Sequence, residues 1–327
     1  MMELFTSVIL LFHLRSGKPG KEVSIDVTYL KDPHESLHTV LTTFLALRNS
    51  ALEGRINIIN RSEKKDEEAC QRFDKQLHQM LVERNQAFSI QGSYQDDVRH
   101  LVVKPVPQEC LVLASSNAYT RTKDGTVCVI HTKDLLNTTS CDVSRKLPTL
   151  PEDLAYMQTY PESENSMIEF VESSESSVIN CFENADVIRK HVSAFANTNG
   201  GRILFGVDDN GIVTGTPCPE NKAELTKKVD GMMKQMKWYH PDLGIIEPQE
   251  NTHWMIRWLD IIGTPQRSRL RVVALTIKPL QGGCVYTNDP ECPLWDPKSK
   301  SGYRLMRFQN WCQYLQKMMD ERNKGKG

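Results

Sequence analysis

The signature motifs of several large enzyme classes are absent from this chain of 327 residues. It has no G-x-x-x-x-G-K-[ST] loop, no G-x-G-x-x-G after a strand and no H-E-x-x-H. Nucleotide hydrolysis, dinucleotide binding and zincin proteolysis therefore lack their usual sequence signals, and no ATP-driven function is expected.

The chain also lacks an excess of charge and a disulfide framework. Its formal net charge is −1, so no overall field attracts a polyanion, and RNA binding requires local basic patches. Nine cysteines with no C-x-x-C pair are typical of reduced intracellular thiols, and a cytoplasmic location is predicted. The apolar run from Leu4 to Leu14 follows Glu3 instead of a basic segment and is too short to cross a bilayer, so neither a signal peptide nor membrane association is expected.

The stretch from Glu162 to Asp209 is the most informative part of the sequence. Apolar residues at helical spacing predict a helix over 184–197, which ends at the Gly200-Gly201 pair because glycine accepts the positive φ of a helix C-terminus. The expected buried face of this helix consists of Val187, Ile188, Val192, Phe195 and Ala196. A buried strand is predicted next, over 202–207, followed by an Asp-Asp-Asn-Gly turn.

Glu169 lies in another predicted strand, over 166–171. Ile168 and Phe170 share one face of that strand, so Glu169 points to the opposite face. Glu164 lies five residues earlier, an odd offset that places it on the other side of a straight strand. The two carboxylates converge only if the chain bends between them, which the polar residues before the strand would allow.

Asp209 follows the buried strand and supplies a third acid. If Glu164, Glu169 and Asp209 converge, their mutual repulsion is relieved by a divalent cation. Oxygen ligands suit Mg²⁺ or Mn²⁺, which can activate water against a phosphodiester. The alternative is three ordinary solvated acids.

Two segments carry a resemblance to a known family. Glu164 to Phe170 reads E-N-S-M-I-E-F, and Val192 to Asp209 reads V-S-A-F-A-N-T-N-G-G-R-I-L-F-G-V-D-D. Both resemble the core of the Schlafen family, which carries an AlbA-like divergent fold. Weaker similarity covers most of the chain, which resembles a short member without a helicase-like region.

The resemblance implies a hydrolase. Members of this family include metal-dependent endoribonucleases that cut structured RNAs such as tRNA and rRNA, with two glutamates and an aspartate as the catalytic and metal-binding triad. The motif places this triad on Glu164, Glu169 and Asp209, with Mg²⁺ or Mn²⁺ as the implied cofactor.

An internal repeat points to the same region. Residues 46–60 parallel residues 194–207: each has an alanine, an Asn-Ser or Asn-Thr pair, and Gly-Arg-Ile entering an apolar strand. Two copies of a helix-turn-strand unit indicate two related lobes, and the predicted fold class is α+β. The resemblance implies that these lobes form a U-shaped clamp around RNA. Because the first copy offers Asn57 and Asn60 where acids would be needed, catalysis is assigned to the second lobe.

The predicted domain plan is an N-terminal extension over 1–22, a first lobe over 23–147, a second, acidic lobe over 148–319 and a flexible tail over 320–327. The Pro-rich segment Leu147 to Pro151 serves as the joint between the lobes. An exposed amphipathic helix is predicted within 63–84, and a helix that packs on the core is predicted over 311–319.

The chain departs from the family pattern at a basic position. Active relatives place a basic residue after the Glu-Phe pair, where Val171 and Glu172 stand here. Such a cation stabilises the transition state of phosphoryl chemistry, and Lys190 or Arg202 is the expected substitute. The predicted RNA-binding residues are Lys190, Arg202, Arg257, Arg269 and Arg271. The alternative is that these cations only solvate the surface.

A second departure concerns zinc. Family cores commonly hold zinc through a His-x-Cys pair and a later Cys-Cys pair. Here His240 and Cys284 remain, while Asp242 and Gly283 occupy the partner positions. One interpretation is a degraded zinc site that Cys292 could complete. The other is a surface histidine and a buried cysteine, because structural zinc normally has four good ligands.

Two functions from different classes remain open. The first is a metal-dependent endoribonuclease that acts on structured RNA. The second is a non-catalytic regulator that binds RNA or protein on the same fold. Retention of the acidic motif favours the nuclease, whereas the near-neutral charge, the missing cation and the broken zinc pattern favour the regulator. The sequence makes no prediction of the oligomeric state.

Overall fold

The computed structural model describes residues 21–27, 33–50, 54–60, 67–83, 89–91, 98–103, 111, 113–122, 124–130, 134, 147–173, 177–183, 185–218, 222–264, 270–295 and 303–324. The chain forms two compact units: Met1–Ser115 with Glu291–Arg307, and Ser116–Pro290 with Phe308–Gly327. Helices and mixed sheets occur in both, which confirms the predicted α+β class.

The bounds of the elements in the described residues are as follows. The helices are α1 (Pro33–Asn49), α2 (Glu67–Glu83), α3 (Asp186–Ala196), α4 (Lys222–Gln235) and α5 (Phe308–Lys324). The strands of the first unit are β1 (Lys21–Val27), β2 (Gly54–Asn60), β3 (Ser89–Gln91), β4 (Val98–Val103), β16 (Pro293–Trp295) and β17 (Tyr303–Leu305). Those of the second unit are β5 (Tyr119–Arg121), β6 (Val127–Val129), β7 (Leu154–Ala155), β8 (Ile168–Val171), β9 (Gly201–Phe205), β10 (Thr216–Pro217), β11 (Lys237–His240), β12 (Gly244–Ile246), β13 (Trp254–Ile262), β14 (Leu270–Ile277) and β15 (Cys284–Tyr286).

The first unit has a sheet in the order β1-β2-β4-β3, in which β1 and β2 are parallel and the other pairs are antiparallel. Helix α1 packs against this sheet, α2 and β16, so residues 40–47 are buried all round. The buried hydroxyls of Thr42 and Thr43 donate to the carbonyls of His38 and Thr39 at 2.7 and 2.9 Å, which satisfies them inside the helix.

Helix α2 confirms the exposed amphipathic helix predicted within 63–84. Phe73, Leu77 and Leu81 are buried in the core of the first unit, and Met80 packs against that core. Their spacing places them on one face, and the opposite face is charged.

The second unit is built on a sheet in the order β7-β13-β14-β9-β8, with β10 beside β14. β8 and β9 are parallel, whereas β9, β14 and β13 alternate in direction. Every residue of β9 is buried because the sheet is covered on both faces. Ile203 and Phe205 enter the core on the α3 side, and Leu204 enters the core on the other face.

Helix α5 packs as predicted, although it is longer than the predicted segment. Trp311 is fully buried, and its Nε1 donates to the hydroxyl of Tyr286 at 3.2 Å. The hydroxyl of Tyr239 donates to the carbonyl of Cys312 at 3.3 Å. The helix continues to Lys324, so residues 320–324 are helical, in contrast to the predicted tail.

Both units contain the same order of elements: a strand, a helix, a parallel strand and then an antiparallel strand. In the first unit these are β1, α1, β2 and β4, and in the second they are β8, α3, β9 and β14. The second parallel strand begins with Gly-Arg-Ile in each case, at Gly54 and at Gly201. A Cβ on Gly201 would lie 2.0 Å from the Phe195 ring, so only glycine fits there.

The units divide the chain differently from the predicted lobes. The compact units divide after Ser115, and β5 packs against α3 of the second unit. The segment 291–307 returns to the first unit, where the Asn49 side chain donates to the carbonyl of Pro293 at 2.9 Å.

Some sequence predictions fall outside the described residues. These include the Leu4–Leu14 run and Arg269. Among the helices of the described residues, none combines the length and the apolar character needed to cross a bilayer.

Candidate functional site

Strand β8 directs Glu169 toward helix α3. Ile168 and Phe170 are buried in the core on the opposite face of the sheet, while Val171 packs against the core that contains α3. Side chains alternate along a strand, so Glu169 shares the face of Val171, as the sequence predicted. Its side chain is 20% exposed and is open to solvent only at an edge.

A bend before β8 brings Glu164 back alongside the strand. Asn165 and Ile168 exchange backbone hydrogen bonds of 3.2 and 3.4 Å, and the Asn165 side chain accepts from the Met167 N–H at 2.8 Å. Glu164 Oε1 then accepts from the backbone N–H of Phe170 at 2.8 Å. The predicted bend therefore exists, at 165–168, and it places the Glu164 carboxylate against the residue that follows Glu169.

Arg121 of β5 is the central cation of the site, and the sequence analysis missed it. Its side chain is 2% exposed and forms an ion pair with Glu169 Oε2 through Nη2. The same guanidinium donates from Nε to the Asn165 carbonyl at 3.1 Å and from Nη2 to the Ile168 carbonyl at 3.2 Å. Nη1 donates to His191 Nδ1 at 3.0 Å. Because arginine is always charged and only donates, each of these four partners must accept.

His191 of α3 completes the cluster as a neutral imidazole. Burial, together with the nearby Arg121 charge, lowers the pKa of His191 to about 4, while Glu164 opposes this shift. Since Nδ1 accepts from Arg121, the ring proton resides on Nε2. Nε2 faces Glu169 Oε1 at 3.5 Å, a polar contact longer than a normal hydrogen bond.

Two buried polar side chains, Ser193 of α3 and Asn197 directly after the helix, hold β5 in place. Ser193 Oγ accepts from the Tyr119 N–H at 3.0 Å and donates to the Val285 carbonyl at 2.7 Å. Asn197 Nδ2 donates to the carbonyls of Tyr119 and Val285 at 3.0 and 2.9 Å, and its Oδ1 accepts from the Val285 N–H at 2.7 Å. These bonds position β5, and with it Arg121, beside the acids.

Asp209 lies in the predicted turn but does not join the two glutamates. The neighbouring Asp208 organises the turn, because its Oδ1 accepts from the N–H groups of Asn210 and Ile212 at 3.0 and 2.7 Å. Asp209 is exposed, and among the described residues no hydrogen bond or ion pair links it to Glu164 or Glu169.

The donor chemistry of the acids suits a hard cation, since carboxylate oxygens are preferred ligands of Mg²⁺ and Mn²⁺. Within the ranges that the structure describes, however, no group of three histidine, cysteine or acidic side chains is gathered closely enough to hold a metal ion. Both oxygens of Glu169 already face protein groups, Arg121 and His191. The assignment of metal to Glu164, Glu169 and Asp209 stays a prediction.

The two expected substitutes for the missing cation differ in their surroundings. Lys190 is exposed, and its Nζ lies 5.8 Å from the centre of the Tyr119 ring, next to β5. Arg202 is 6% exposed and donates twice to the Pro148 carbonyl, at 3.1 Å each. Lys190 can therefore contact a ligand beside the acids, whereas the contacts of Arg202 are those of the protein framework.

Two more of the predicted RNA-binding residues lie within the described ranges, on β13 and β14. Arg257 is exposed on β13. Arg271 donates to Asp260 Oδ1 at 2.8 Å, and its guanidinium lies 4.9 Å from the centre of the Trp258 ring. Arg271 is thus already paired, and Arg257 is the more available cation of the two.

The predicted zinc residues show the features of ordinary structural side chains. His240 Nδ1 accepts from the Asp242 N–H at 3.1 Å. Burial raises the pKa of the Cys284 thiol to about 12, which opposes the thiolate form that zinc binds. Cys292 belongs to the first unit, where its sulfur lies 3.9 Å from the Asn49 amide nitrogen.

These features define an α+β domain whose first parallel strand carries an acidic site facing the helix. Residues 164–288 match the family described as Schlafen, AlbA_2. The match confirms, over these residues, the resemblance drawn from the sequence. The match begins at Glu164 and therefore does not include Arg121.

Proposed function

We propose that the protein is a metal-dependent endoribonuclease that acts on structured RNA of the tRNA or rRNA kind. The observation that supports this most strongly is the bend at 165–168, which returns the Glu164 carboxylate to the strand that carries Glu169. The Schlafen, AlbA_2 match supports a nucleic-acid-related function, of which nuclease activity is the more specific form.

In this proposal Glu164, Glu169 and Asp209 form the acidic site. When bound, Mg²⁺ or Mn²⁺ supplies Lewis-acid chemistry that polarises the phosphodiester and makes water a better nucleophile. Arg121 balances the charge of Glu169 and keeps its carboxylate oriented. Asp209, which is exposed on its turn, approaches the glutamates when substrate is bound.

RNA is held by cations around the site and by the first lobe. Lys190 lies beside β5 and is the exposed cation nearest in sequence to His191, so it is suited to a phosphate contact. The strand-helix-strand order shared by both units supports an internal duplication. A U-shaped clamp of two related lobes around RNA, with catalysis in the second, is part of the proposal.

A non-catalytic regulator that binds RNA or protein is the second candidate. It is favoured by the separation of Asp209 from the glutamates and by the engagement of Glu169 with Arg121 and His191. In this case the acids stabilise the fold, and RNA is bound without being cut.

The decisive experiment is cleavage of end-labelled total tRNA by the full chain in Mg²⁺, Mn²⁺ or EDTA. The variants are Glu164→Gln, Glu169→Gln and Asp209→Asn. Asp208→Asn is the matched control, because an asparagine oxygen can still accept the two backbone N–H bonds of the turn. We expect metal-dependent cutting that falls by on the order of 100-fold or more in the three site variants and stays near wild type in the control.

The same experiment separates the two candidates. RNA that is bound but left intact under every metal condition, with equal affinity in the wild type and the variants, selects the regulator. Cleavage that persists in EDTA contradicts the metal requirement.

A further inference from the structure

The acidic site depends on a residue that lies outside the matched family segment. Arg121 precedes Glu169 by 48 residues and belongs to the same compact unit, which begins at Ser116. The AlbA_2 match starts at Glu164, so strand β5 lies outside the matched residues.

Arg121 contacts both the bend that returns Glu164 to β8 and the Glu169 carboxylate itself. Its Nε and Nη2 reach the carbonyls of Asn165 and Ile168, the two residues that close the bend. That bend returns Glu164 to β8. Nη2 also pairs with Glu169, so one guanidinium organises both carboxylates.

A buried guanidinium with four acceptors is an ordered group. Its side chain is 2% exposed, and its carbon Cζ lies 4.9 Å from the centre of the Phe195 ring on α3. A buried cation is tolerated only when its charge and all its donors find partners, and here a carboxylate, an imidazole and two carbonyls fill these roles. Arg121 therefore has little freedom to move, and the groups bonded to it are equally restricted.

We propose that Arg121 is a positioning residue of the acidic site, which acts with His191 to fix the Glu169 carboxylate and to hold the bend that presents Glu164. The activity test of this inference rests on the proposed nuclease function. The contacts of Arg121 with Glu169, His191 and the bend do not depend on that function. Arg121 is too deeply buried to contact substrate, so its effect passes through the two glutamates.

The first test measures the bend directly, without activity. Hydrogen exchange of the Phe170 N–H, which donates to Glu164 Oε1, is followed by NMR in the full chain, in Arg121→Gln and in Arg271→Gln, an arginine of the same unit that pairs with Asp260 instead. Because Arg121 holds the carbonyls of Asn165 and Ile168, Arg121→Gln should speed this exchange by about tenfold or more. Arg271→Gln should leave it unchanged. Wild-type exchange of the Phe170 N–H in folded Arg121→Gln overturns the proposal.

The second test uses cleavage kinetics. We expect Arg121→Lys to fold, because it keeps the buried cation, and to lose roughly 10- to 100-fold in kcat with little change in KM, since one ammonium cannot serve all four acceptors. Guanidinium added to Arg121→Ala should restore part of the rate. Wild-type kcat in Arg121→Lys would refute the positioning role.

The two tests keep this inference apart from the proposed function. A wild-type chain that cuts no RNA refutes the nuclease, and the hydrogen exchange of the Phe170 N–H then decides the inference by itself. A wild-type chain that cuts RNA, with Arg121 variants that cut equally well, supports the nuclease and refutes the inference.

Discussion

The two units share a strand-helix-strand segment, but they carry chemically different side chains at corresponding positions of it. When the Gly-Arg-Ile starts of β2 and β9 are aligned, Ile56 corresponds to Ile203. Ile56 pairs with Val23 and Ile203 pairs with Glu169, so Val23 and Glu169 occupy corresponding positions. Val23 is 1% exposed in an apolar core, whereas Glu169 faces a buried arginine. An acid at this position is thus accommodated only where a neighbouring strand brings a cation to it.

The helices of the two segments show a matching contrast. Aligned on the repeat, His191 of α3 corresponds to Thr43 of α1, which bonds back to its own helix. The asparagines at the helix ends behave alike, because Asn49 and Asn197 each donate to a carbonyl of a later strand at 2.9 Å. The framework contacts are therefore similar, and the difference lies in the charged groups.

The largest effect is expected from two single variants, in which each of the corresponding positions 23 and 169 receives the kind of side chain that the other position has. Val23→Glu buries a carboxylate among apolar side chains with no arginine supplied to it, and should lower the free energy of unfolding by about 3 kcal/mol or more. Glu169→Val leaves the buried Arg121 charge without its carboxylate partner and should lower the free energy of unfolding by a similar amount. Urea unfolding of both variants measures this, with Val23→Thr as the uncharged control. A stable Val23→Glu would show that the first unit can accept the acid, and the comparison would fail.

A smaller effect is expected at the paired asparagines. Asn197→Ala removes four hydrogen bonds of a buried side chain and should lower the free energy of unfolding by about 3 kcal/mol, whereas Asn49→Ala should lower it by about 1 kcal/mol. Thermal and urea unfolding give both values. Asn197→Asp can still accept from Val285, but it places a buried carboxylate oxygen against the carbonyls of Tyr119 and Val285, so it should cost at least as much as Asn197→Ala. Equal losses at the two positions would mean that β5 does not depend on Asn197.

The smallest effect is expected from the pH dependence that His191 confers. Its folded pKa of about 4 lies below the ordinary value of 6.5, so the unfolded chain binds more protons between these values. The free energy of unfolding therefore falls as the pH drops from 6.5 toward 4. By pH 5 the loss that His191 causes amounts to roughly 2 kcal/mol. Denaturant unfolding at pH 7 and pH 5 should show a smaller difference for His191→Gln than for the wild type. Identical pH profiles would place His191 outside the buried network.

The local order of the second unit could be predicted from the sequence. Apolar periodicity predicted α3 and β9, and the Gly200-Gly201 pair marked the helix end, where Gly200 has φ of +76°. The alternation of side chains along the strand correctly predicted that Glu169 lies on the face opposite to Ile168. One position on the expected helix face was wrong: Val187 is 60% exposed, because a helix turns by about 100° per residue and Val187 therefore lies to one side of the face of Ile188, Val192 and Phe195.

The charged partners could not be predicted from local pattern. Arg121 lies in a three-residue strand whose place depends on contacts far along the chain, and no spacing rule links it to Glu169. His191 did carry a signal. It occupies the same helical face as the buried Ile188, Val192 and Phe195, where a histidine needs a polar partner.

The long-range hydrogen bonds of Asn197 have a consequence for how the protein is made. They join Tyr119, 78 residues earlier, to Val285, 88 residues later. Contacts so distant in sequence form slowly, since long loops must close first. During synthesis on the ribosome the glutamates emerge long before Val285, so we expect a nascent chain to remain without an organised acidic site until most of the second unit has been translated.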